Sequence, residues 1–176
     1  MDWGNYLFSF QGRINRAKIW LFVLIAIGAE IAYFIVMWAL VGAAGMGMLT
    51  GMGSDAGAMT GGVMGILALI LSLAFFVVFI WAGLAVAVKR LHDRDKAGWW
   101  LLIFYGVPIV FDILAVIVSP PQTNEGPGVL GTIFLLGSLA VLIWFFVELY
   151  CLRGTVGDNR FGPDPLAGHA IPAQPA

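Results

Sequence analysis

Four long runs of apolar residues constrain this chain more than any other feature. They cover residues 19–41, 63–88, 99–118 and 129–152. The hydrocarbon core of a bilayer is about 30 Å thick, and about 20 apolar residues in a helix are enough to cross it. Lipid offers the backbone no hydrogen-bond partners, so a helix is the expected conformation of each run. The pattern predicts an all-α membrane protein with four transmembrane helices, arranged as two tandem hairpins.

The two halves of the chain show a weak sequence similarity to each other. The segment RINRAKIW precedes the first run and RDKAGWW precedes the third, and each is followed by an apolar run with one acid. We hypothesise that the hairpins form a parallel repeat, as in some transporters. A chance similarity between two basic helix starts that contain Trp explains this resemblance between the halves at least equally well.

The composition excludes the ordinary soluble classes. Of 176 residues, 61% are hydrophobic and 11% are charged, whereas soluble domains are about 45–50% apolar and about 25% charged. The first apolar run is longer than the apolar core of a signal peptide, which has about 7–15 residues, so we expect it to remain as an anchor. The single cysteine, Cys151, excludes an intramolecular disulfide and a cysteine-based metal cluster.

The positions of the basic residues predict the orientation, because basic loops stay on the cytoplasmic side. Residues 42–62 and 119–128 contain no Lys or Arg. The nine basic residues lie in the other connections: Arg13, Arg16, Lys18, Lys89, Arg90, Arg94, Lys96, Arg153 and Arg160. We therefore predict that both termini are cytoplasmic. Residues 1–18 would form an interfacial segment, 19–152 the transmembrane domain, and 153–176 a cytoplasmic tail that is disordered after about residue 165.

Three motifs together resemble a known family. They are FSFQGRINRAKIW at 8–20, VKRLHDRDKAGWW at 88–100 and GTVGDNRFGPDP at 154–165. In this order they resemble the bacterial domain-of-unknown-function 805 family of inner-membrane proteins, over about residues 6–165. The chain departs from the family pattern at Ile19, where an aromatic residue is expected, and at Ala97, where Ser is common. The resemblance implies a multi-pass protein of the bacterial inner membrane and implies no specific chemistry.

All three motifs lie on the predicted cytoplasmic side, which predicts one polar cluster there. Its candidate residues are Arg13, Arg16, Arg90, His92, Asp93, Arg94, Asp95, Asn159 and Arg160. Guanidinium groups suit phosphate, and basic pockets on this side bind anionic lipid headgroups. The alternative, which the pattern favours, is a tight turn broken by Gly98 in which the charges neutralise one another. Glu148 is expected to pair with Arg153 or Lys89.

Two acids inside the apolar runs, Glu30 and Asp112, form a second candidate site. Intramembrane carboxyl groups are costly and often functional. Both runs start on the same side, so the two acids are expected at similar depths, which would suit a proton-coupled path. The plainer interpretation, a carboxyl group hydrogen-bonded to a neighbouring helix, is favoured.

Metal sites are disfavoured. His92, Asp93 and Asp95 are too close together in one turn to converge readily on an ion. The thioethers of Met46, Met48, Met52 and Met59 suit Cu(I), but no His or Cys assists them, and a Gly- and Met-rich linker is the simpler interpretation.

We expect a protein that acts by interaction or lipid binding through its cytoplasmic polar cluster, and an enzyme is less expected. One alternative is a small proton-coupled transporter or channel that uses Glu30 and Asp112. Another is a membrane enzyme acting on lipid headgroups, with His92 and Asp93 as acid–base groups. The expected partners are membrane lipids, including anionic headgroups, a second copy of the chain or another membrane protein. No nucleic acid, cofactor, metal or catalytic residue is expected.

Overall fold

The computed structural model of the protein describes residues 2–51, 54–119 and 126–167. Its helices are α1 (Trp3–Phe8), α2 (Arg16–Thr50), α3 (Asp55–Asp93), α4 (Trp100–Val118) and α5 (Gly128–Phe146), and α5 continues into a π-helical turn, Val147–Cys151, named the π turn below. Within these ranges there is no β-strand, only an isolated bridge between Asn159 and Gly162.

Four helices are long and apolar enough to cross a membrane: α2, α3, α4, and α5 with its π turn. This confirms the prediction of an all-α chain with four candidate spans. The tandem hairpins and the cytoplasmic location of both termini stay predictions. The predicted disordered tail lies mostly outside the described residues, which end at 167.

Helices α2 and α3 extend beyond the predicted ends of their apolar runs. They contain 35 and 39 residues, which at about 1.5 Å per residue gives lengths of about 52 and 58 Å. The hydrocarbon core takes only about 30 Å of this. Most of segment 42–62, interpreted above as a linker, is therefore helical although it contains eight glycines, which have a low helix propensity. Its small residues let α2 and α3 approach closely, as at Gly47 beside Thr60 and Gly61 beside Met48.

Residues 21–84, from α2 and α3, form one compact unit. At its tip the backbones of Gly51 and Gly57 touch, since a Cβ atom on Gly57 would lie 2.6 Å from the carbonyl oxygen of Gly51. Further along, the ring of Tyr33 stacks on Phe75 with centroids 4.2 Å apart. The Tyr33 hydroxyl donates to Ser72 Oγ at 3.0 Å. A glycine contact and an aromatic stack therefore hold α2 against α3.

The other compact unit combines the residues up to Trp20 with those from Ala85 onward. Within it α4 packs along α5, and the fully buried ring of Phe104 lies 5.0 Å from that of Trp144 and 5.1 Å from that of Phe145. The largest fully buried side chain of this unit is that of Arg90. An arginine is therefore part of its core.

The end of α3 is set by Asp95, which has a left-handed backbone with φ +55°. The N–H of Lys96 donates to Leu91 O at 2.9 Å, and that of Asp95 donates to His92 O at 3.0 Å. This is the Schellman pattern, which usually has Gly at the left-handed position but tolerates a short polar residue. The first part of the charged stretch, predicted as a turn after residue 88, is therefore the last turn of α3, which ends at Asp93.

Candidate functional site

The predicted polar cluster is centred on the carboxylate of Asp93, in the last turn of α3. Arg13, from the segment between α1 and α2, donates to Oδ1 through Nε at 3.2 Å and through Nη2 at 3.1 Å. Arg90, one turn earlier on α3, donates from Nη1 to Oδ2. All three side chains are at most 4% exposed. This Arg13–Arg90–Asp93 cluster has two cations for one anion and so keeps a net positive charge.

Arg13 also holds the segment that follows the π turn. Its Nη1 donates to Gly157 O at 2.7 Å and to Gly162 O at 3.2 Å, and its Nη2 donates to Thr155 O at 2.7 Å. Gly157 and Gly162 have φ values of +80° and +136°, which L side chains rarely adopt. With Asp93, these oxygens engage all five N–H donors of the guanidinium group, so Arg13 has none left for a ligand.

Arg90 caps the end of the π turn. Its Nε donates to Leu149 O at 2.8 Å, and its Nη2 donates to Leu152 O. The last carbonyls of a helix lack partners within the helix, and a buried carbonyl left unsatisfied costs about 1–3 kcal/mol. The buried guanidinium group therefore joins the end of α3 to the end of α5.

Asn159 connects the third motif (154–165) to the second (88–100) by hydrogen bonds. Its Nδ2 donates to His92 O at 2.9 Å and to Thr155 Oγ1 at 3.0 Å, and its Oδ1 accepts from Phe161 N at 2.9 Å. The ring of Phe161 stacks on the imidazole of His92, with centroids 3.9 Å and planes 4° apart. His92 Nδ1 lies 3.3 Å from Gly12 O. The imidazole is therefore packed between the first and third motifs.

Glu148, in the π turn, forms a second ionic group. Its Oε1 accepts from Arg94 Nε at 3.0 Å and from Lys96 Nζ at 2.9 Å. The expectation that Arg153 or Lys89 would pair with Glu148 was wrong. The chain reversal after α3 carries Arg94 and Lys96 to it instead.

The remaining candidates lie at the edge of the cluster. Arg160 Nε pairs with Asp95 Oδ1 at 3.1 Å, and these side chains are 60% and 48% exposed. Arg16 donates from Nη1 to Cys151 O at 3.1 Å. Of the nine predicted residues, the structure brings five together: Arg13, Arg90, His92, Asp93 and Asn159.

The two acids of the second candidate site, Glu30 and Asp112, lie on α2 and α4, in different compact units, and both are exposed. Neither belongs to an ion pair among the described residues. In the same ranges, no group of three or more His, Cys, Asp or Glu residues is placed to hold a metal ion. Of the methionines considered as copper ligands, Met52 lies outside the described residues.

A cavity of about 280 Å³, the polar cavity, adjoins the Arg13–Arg90–Asp93 cluster. Arg90 and Asp93 line it, together with Arg16, Arg153 and Asp164. Arg16 uses one N–H donor on Cys151, and Arg153 belongs to no ion pair among the residues described. The guanidinium groups of Arg16 and Arg153 therefore keep donors for a ligand.

Asp164 closes the loop beside the polar cavity. Its Oδ1 accepts from Leu166 N at 2.9 Å and its Oδ2 from Gly157 N at 2.8 Å. The hydrogen bond from Leu166, followed by that from Gly157, lowers the pKa of Asp164 below its ordinary value of 3.8. The carboxylate is therefore ionised at neutral pH.

Sequence reasoning missed the main-chain part of this site. Arg13 and Arg90 bind mostly carbonyl oxygens, those of Thr155, Gly157 and Leu149 among them. Every residue carries a carbonyl, so no sequence signal marks these. The glycines of GTVGDNRFGPDP were the available hint that the chain turns tightly there.

The sequence is similar to three proteins of Escherichia coli (strain K12). Inner membrane protein YhaH is 30% identical over 170 residues, which cover 94% of this chain and 97% of YhaH. Inner membrane protein YhaI is 26% identical over 171 residues, covering 93% and 91%. Uncharacterized protein YiiR is 28% identical over 162 residues, covering 91% and 88%. No solved structure matches.

The family described as protein of unknown function DUF805 matches residues 7–163. This match confirms the resemblance carried by the three motifs, and the matched range includes nearly all of the motif residues. The inner-membrane relatives agree with four apolar helices in this chain. The chain belongs to the DUF805 family of proteins of unknown function.

Proposed function

We propose that this protein is a lipid-binding protein of the bacterial inner membrane, with both termini cytoplasmic, and that its polar cavity binds the phosphate of an anionic phospholipid. The observation that carries the proposal is the pair of guanidinium groups, Arg16 and Arg153, on the lining of this cavity. Guanidinium groups bind phosphate oxygens through paired, charge-assisted hydrogen bonds.

The distribution of Lys and Arg supports this location. All nine lie in residues 2–20, 85–100 and 147–167, and none lies in residues 21–84 or 101–146. Such a bias of Lys and Arg favours the cytoplasmic side. The inner leaflet surface is negative, and each nearby Lys or Arg is attracted to it by about 1 kcal/mol.

The aromatic residues support a position at headgroup level. Trp20 follows Arg16 by one turn of α2, and its ring contacts that of Tyr150 with centroids 5.5 Å apart. Trp and Tyr concentrate where the hydrocarbon meets the headgroups. Arg16 lies one turn closer to the start of α2 than Trp20. This position corresponds to the level of the lipid phosphates.

Enzymatic use of His92 and Asp93 has less support. Both oxygens of Asp93 accept hydrogen bonds from arginines, and one face of the His92 ring packs against Phe161. These groups stabilise the fold, whereas Arg16 and Arg153 keep free donors. Lipid binding through the cavity therefore uses groups that the fold leaves available.

The test is native mass spectrometry of the full-length protein in detergent, with phosphatidylglycerol as the ligand and diacylglycerol as the phosphate-free comparison. The double variant Arg16→Gln/Arg153→Gln should bind phosphatidylglycerol at least about tenfold more weakly, because a hydrogen bond to a charged group contributes about 1.5–3 kcal/mol. Diacylglycerol should bind weakly to both proteins.

The matched control is Arg160→Gln, which removes an exposed guanidinium that does not line the cavity. It should leave phosphatidylglycerol binding within about twofold of the original protein. If the double variant binds as tightly as this control, or diacylglycerol binds as well as phosphatidylglycerol, the proposal is wrong.

A further inference from the structure

A second cavity, of about 260 Å³, lies beside α1 and is named here the N-terminal cavity. Its lining includes Asp2, Gln11, Lys18 and Lys89. It shares no lining residue with the polar cavity. Whatever binds here is therefore recognised by a different set of side chains from those of the proposed lipid site.

Lys89 is the unusual residue of this cavity. It is only 2% exposed, and its Nζ donates to Asn5 O at 2.7 Å and to Tyr6 O at 2.6 Å. Both acceptors are carbonyls of α1, so the ammonium group holds this short helix in place. An ammonium group has three donors, and these two carbonyls engage two of them.

The charge of Lys89 is not neutralised by the protein. Carbonyl groups have a dipole but no net charge, and Lys89 belongs to no ion pair in the described part of the chain. A second cation, Lys18, lies on the same lining, and the acid on this lining, Asp2, forms no ion pair with Lys89. A buried ammonium group without a counter-charge is unfavourable, and a neighbouring cation increases the cost.

We infer that the N-terminal cavity binds a phosphate group between the ammonium groups of Lys18 and Lys89. Lysine binds phosphate as a point charge, and the tetrahedral arrangement of the oxygens lets one phosphate meet two cations from different directions. Gln11 lies on the same lining, and its side-chain amide can add a neutral donor. The bound phosphate supplies the missing counter-charge and accepts the third N–H of Lys89.

The phosphate can come from a soluble compound or from a lipid headgroup, and both present the same oxygens. Because Lys89 also holds α1, binding at this site is coupled to the docking of α1. The site is independent of the lipid phosphate proposed for Arg16 and Arg153, so either can be present without the other.

The experiment is equilibrium dialysis of radiolabelled inorganic phosphate against the full-length protein in detergent, with chloride keeping the ionic strength constant. The original protein should bind phosphate saturably. Lys18→Gln should weaken the binding by about tenfold, because it removes one charge-assisted contact. In the Arg16→Gln/Arg153→Gln background, which removes the two guanidinium groups proposed to bind phosphate at the polar cavity, the same dependence on Lys18 should hold, and Lys89→Gln should abolish the remaining binding. Arg160→Gln, which removes an exposed positive charge outside both cavities, should change phosphate affinity by less than about twofold.

Lys89→Gln removes contacts to α1 and can disturb the fold, so Lys18→Gln decides the test. The Lys18 ammonium is not used in any hydrogen bond or ion pair of the described residues. A second arm measures phosphatidylglycerol binding to Lys18→Gln by native mass spectrometry. If Lys18→Gln binds phosphatidylglycerol more weakly, and inorganic phosphate shows no saturable binding, the phosphate at this site belongs to a lipid headgroup. If neither ligand depends on Lys18, the inference is overturned, and the Arg16→Gln/Arg153→Gln result is unaffected.

Discussion

Gly154 lies so close to the carboxylate of Asp93 that no side chain fits between them. A Cβ atom on Gly154 would come within 2.5 Å of Asp93 Cγ and 2.8 Å of Oδ1. Both oxygens of this carboxylate are held by Arg13 and Arg90. Asp93 therefore cannot move aside without breaking a buried ionic contact.

We predict that Gly154→Ala strongly destabilises the protein. Disrupting a buried ion pair costs about 3–5 kcal/mol, so the thermal unfolding temperature in detergent should fall clearly. Gly106→Ala is the control, because no atom beyond its chain neighbours and the nearby backbone of its own helix would lie within 4 Å of the new Cβ, and Ala is favoured in a helix by about 1 kcal/mol. Equal unfolding temperatures for the two variants would contradict the close contact at Gly154.

The ion pairs at this end of the protein should differ greatly in strength. Arg13 and Asp93 are 1% and 4% exposed, whereas Arg160 and Asp95 are 60% and 48% exposed. Arg13→Ala should lower the free energy of unfolding by about 3–5 kcal/mol, because a buried carboxylate loses a partner. Arg160→Ala should lower it by at most about 1 kcal/mol.

Chemical denaturation of both variants in detergent, with Asp93→Asn and Asp95→Asn for double-mutant cycles, gives the coupling energies. A coupling energy for the Arg160–Asp95 pair as large as that for Arg13–Asp93 would show that burial does not determine the strength of these pairs.

Asn159 should be needed to dock the third motif. The variant Asn159→Ala removes the acceptor of Phe161 N and one of the two donors to His92 O, which keeps its hydrogen bond from Asp95 N, and each lost hydrogen bond costs about 0.5–1.5 kcal/mol. Amide hydrogen exchange of residues 155–162 should become faster. Val156→Ala, at a side chain that is 78% exposed, should leave the exchange unchanged. Equal exchange in both variants would argue that the loop docks without Asn159.

The loop closed by Asp164 should respond to acid. Since the folded-state pKa of Asp164 lies below 3.8, the stabilisation from its hydrogen bonds is present above pH 3.8 and is lost as pH falls through the lower folded value. In an NMR titration, the amide signals of Gly157 and Leu166 should shift with a common midpoint below 3.8. Asp164→Asn should remove the shift. A midpoint at or above 3.8 would contradict the hydrogen-bonded carboxylate.

The proposed orientation can be tested with the single cysteine of the chain, Cys151, which is exposed. We expect a membrane-impermeant maleimide to label it in inverted vesicles and to leave it unlabelled in intact spheroplasts, because the basic residues beside it favour the cytoplasmic side. In a Cys151→Ser background, Asp158→Cys should behave as Cys151 does, and Asp55→Cys should show the opposite pattern. Labelling of Cys151 in intact spheroplasts would show that the orientation is the opposite of the one proposed.

The sequence predicted the membrane class and the number of candidate spans because both follow directly from the length and apolarity of each run. It was less informative about the helix ends. Segment 42–62 has the Gly content of a linker, yet it is mostly helical, since its glycines allow α2 and α3 to pack closely, with Gly51 against Gly57 and Gly61 against Met48. The end of α3 was also predicted too early, at residue 88, because the left-handed residue that ends it is an aspartate, Asp95, and not a glycine.

Consecutive residues alone were enough to predict four apolar helices, the resemblance to the DUF805 family and the gathering of most charges in three motifs. Which of these charges are bonded to one another depends on the folded chain. Asp93 bonds to Arg13, 80 residues away, and Arg90 bonds to the carbonyl of Leu149, 59 residues away. Apolar length is a local property that can be read from consecutive residues. The partner of a buried charge depends on which carbonyls and carboxylates the folded helices bring within about 3 Å, and that distance is set by packing between segments far apart in the chain.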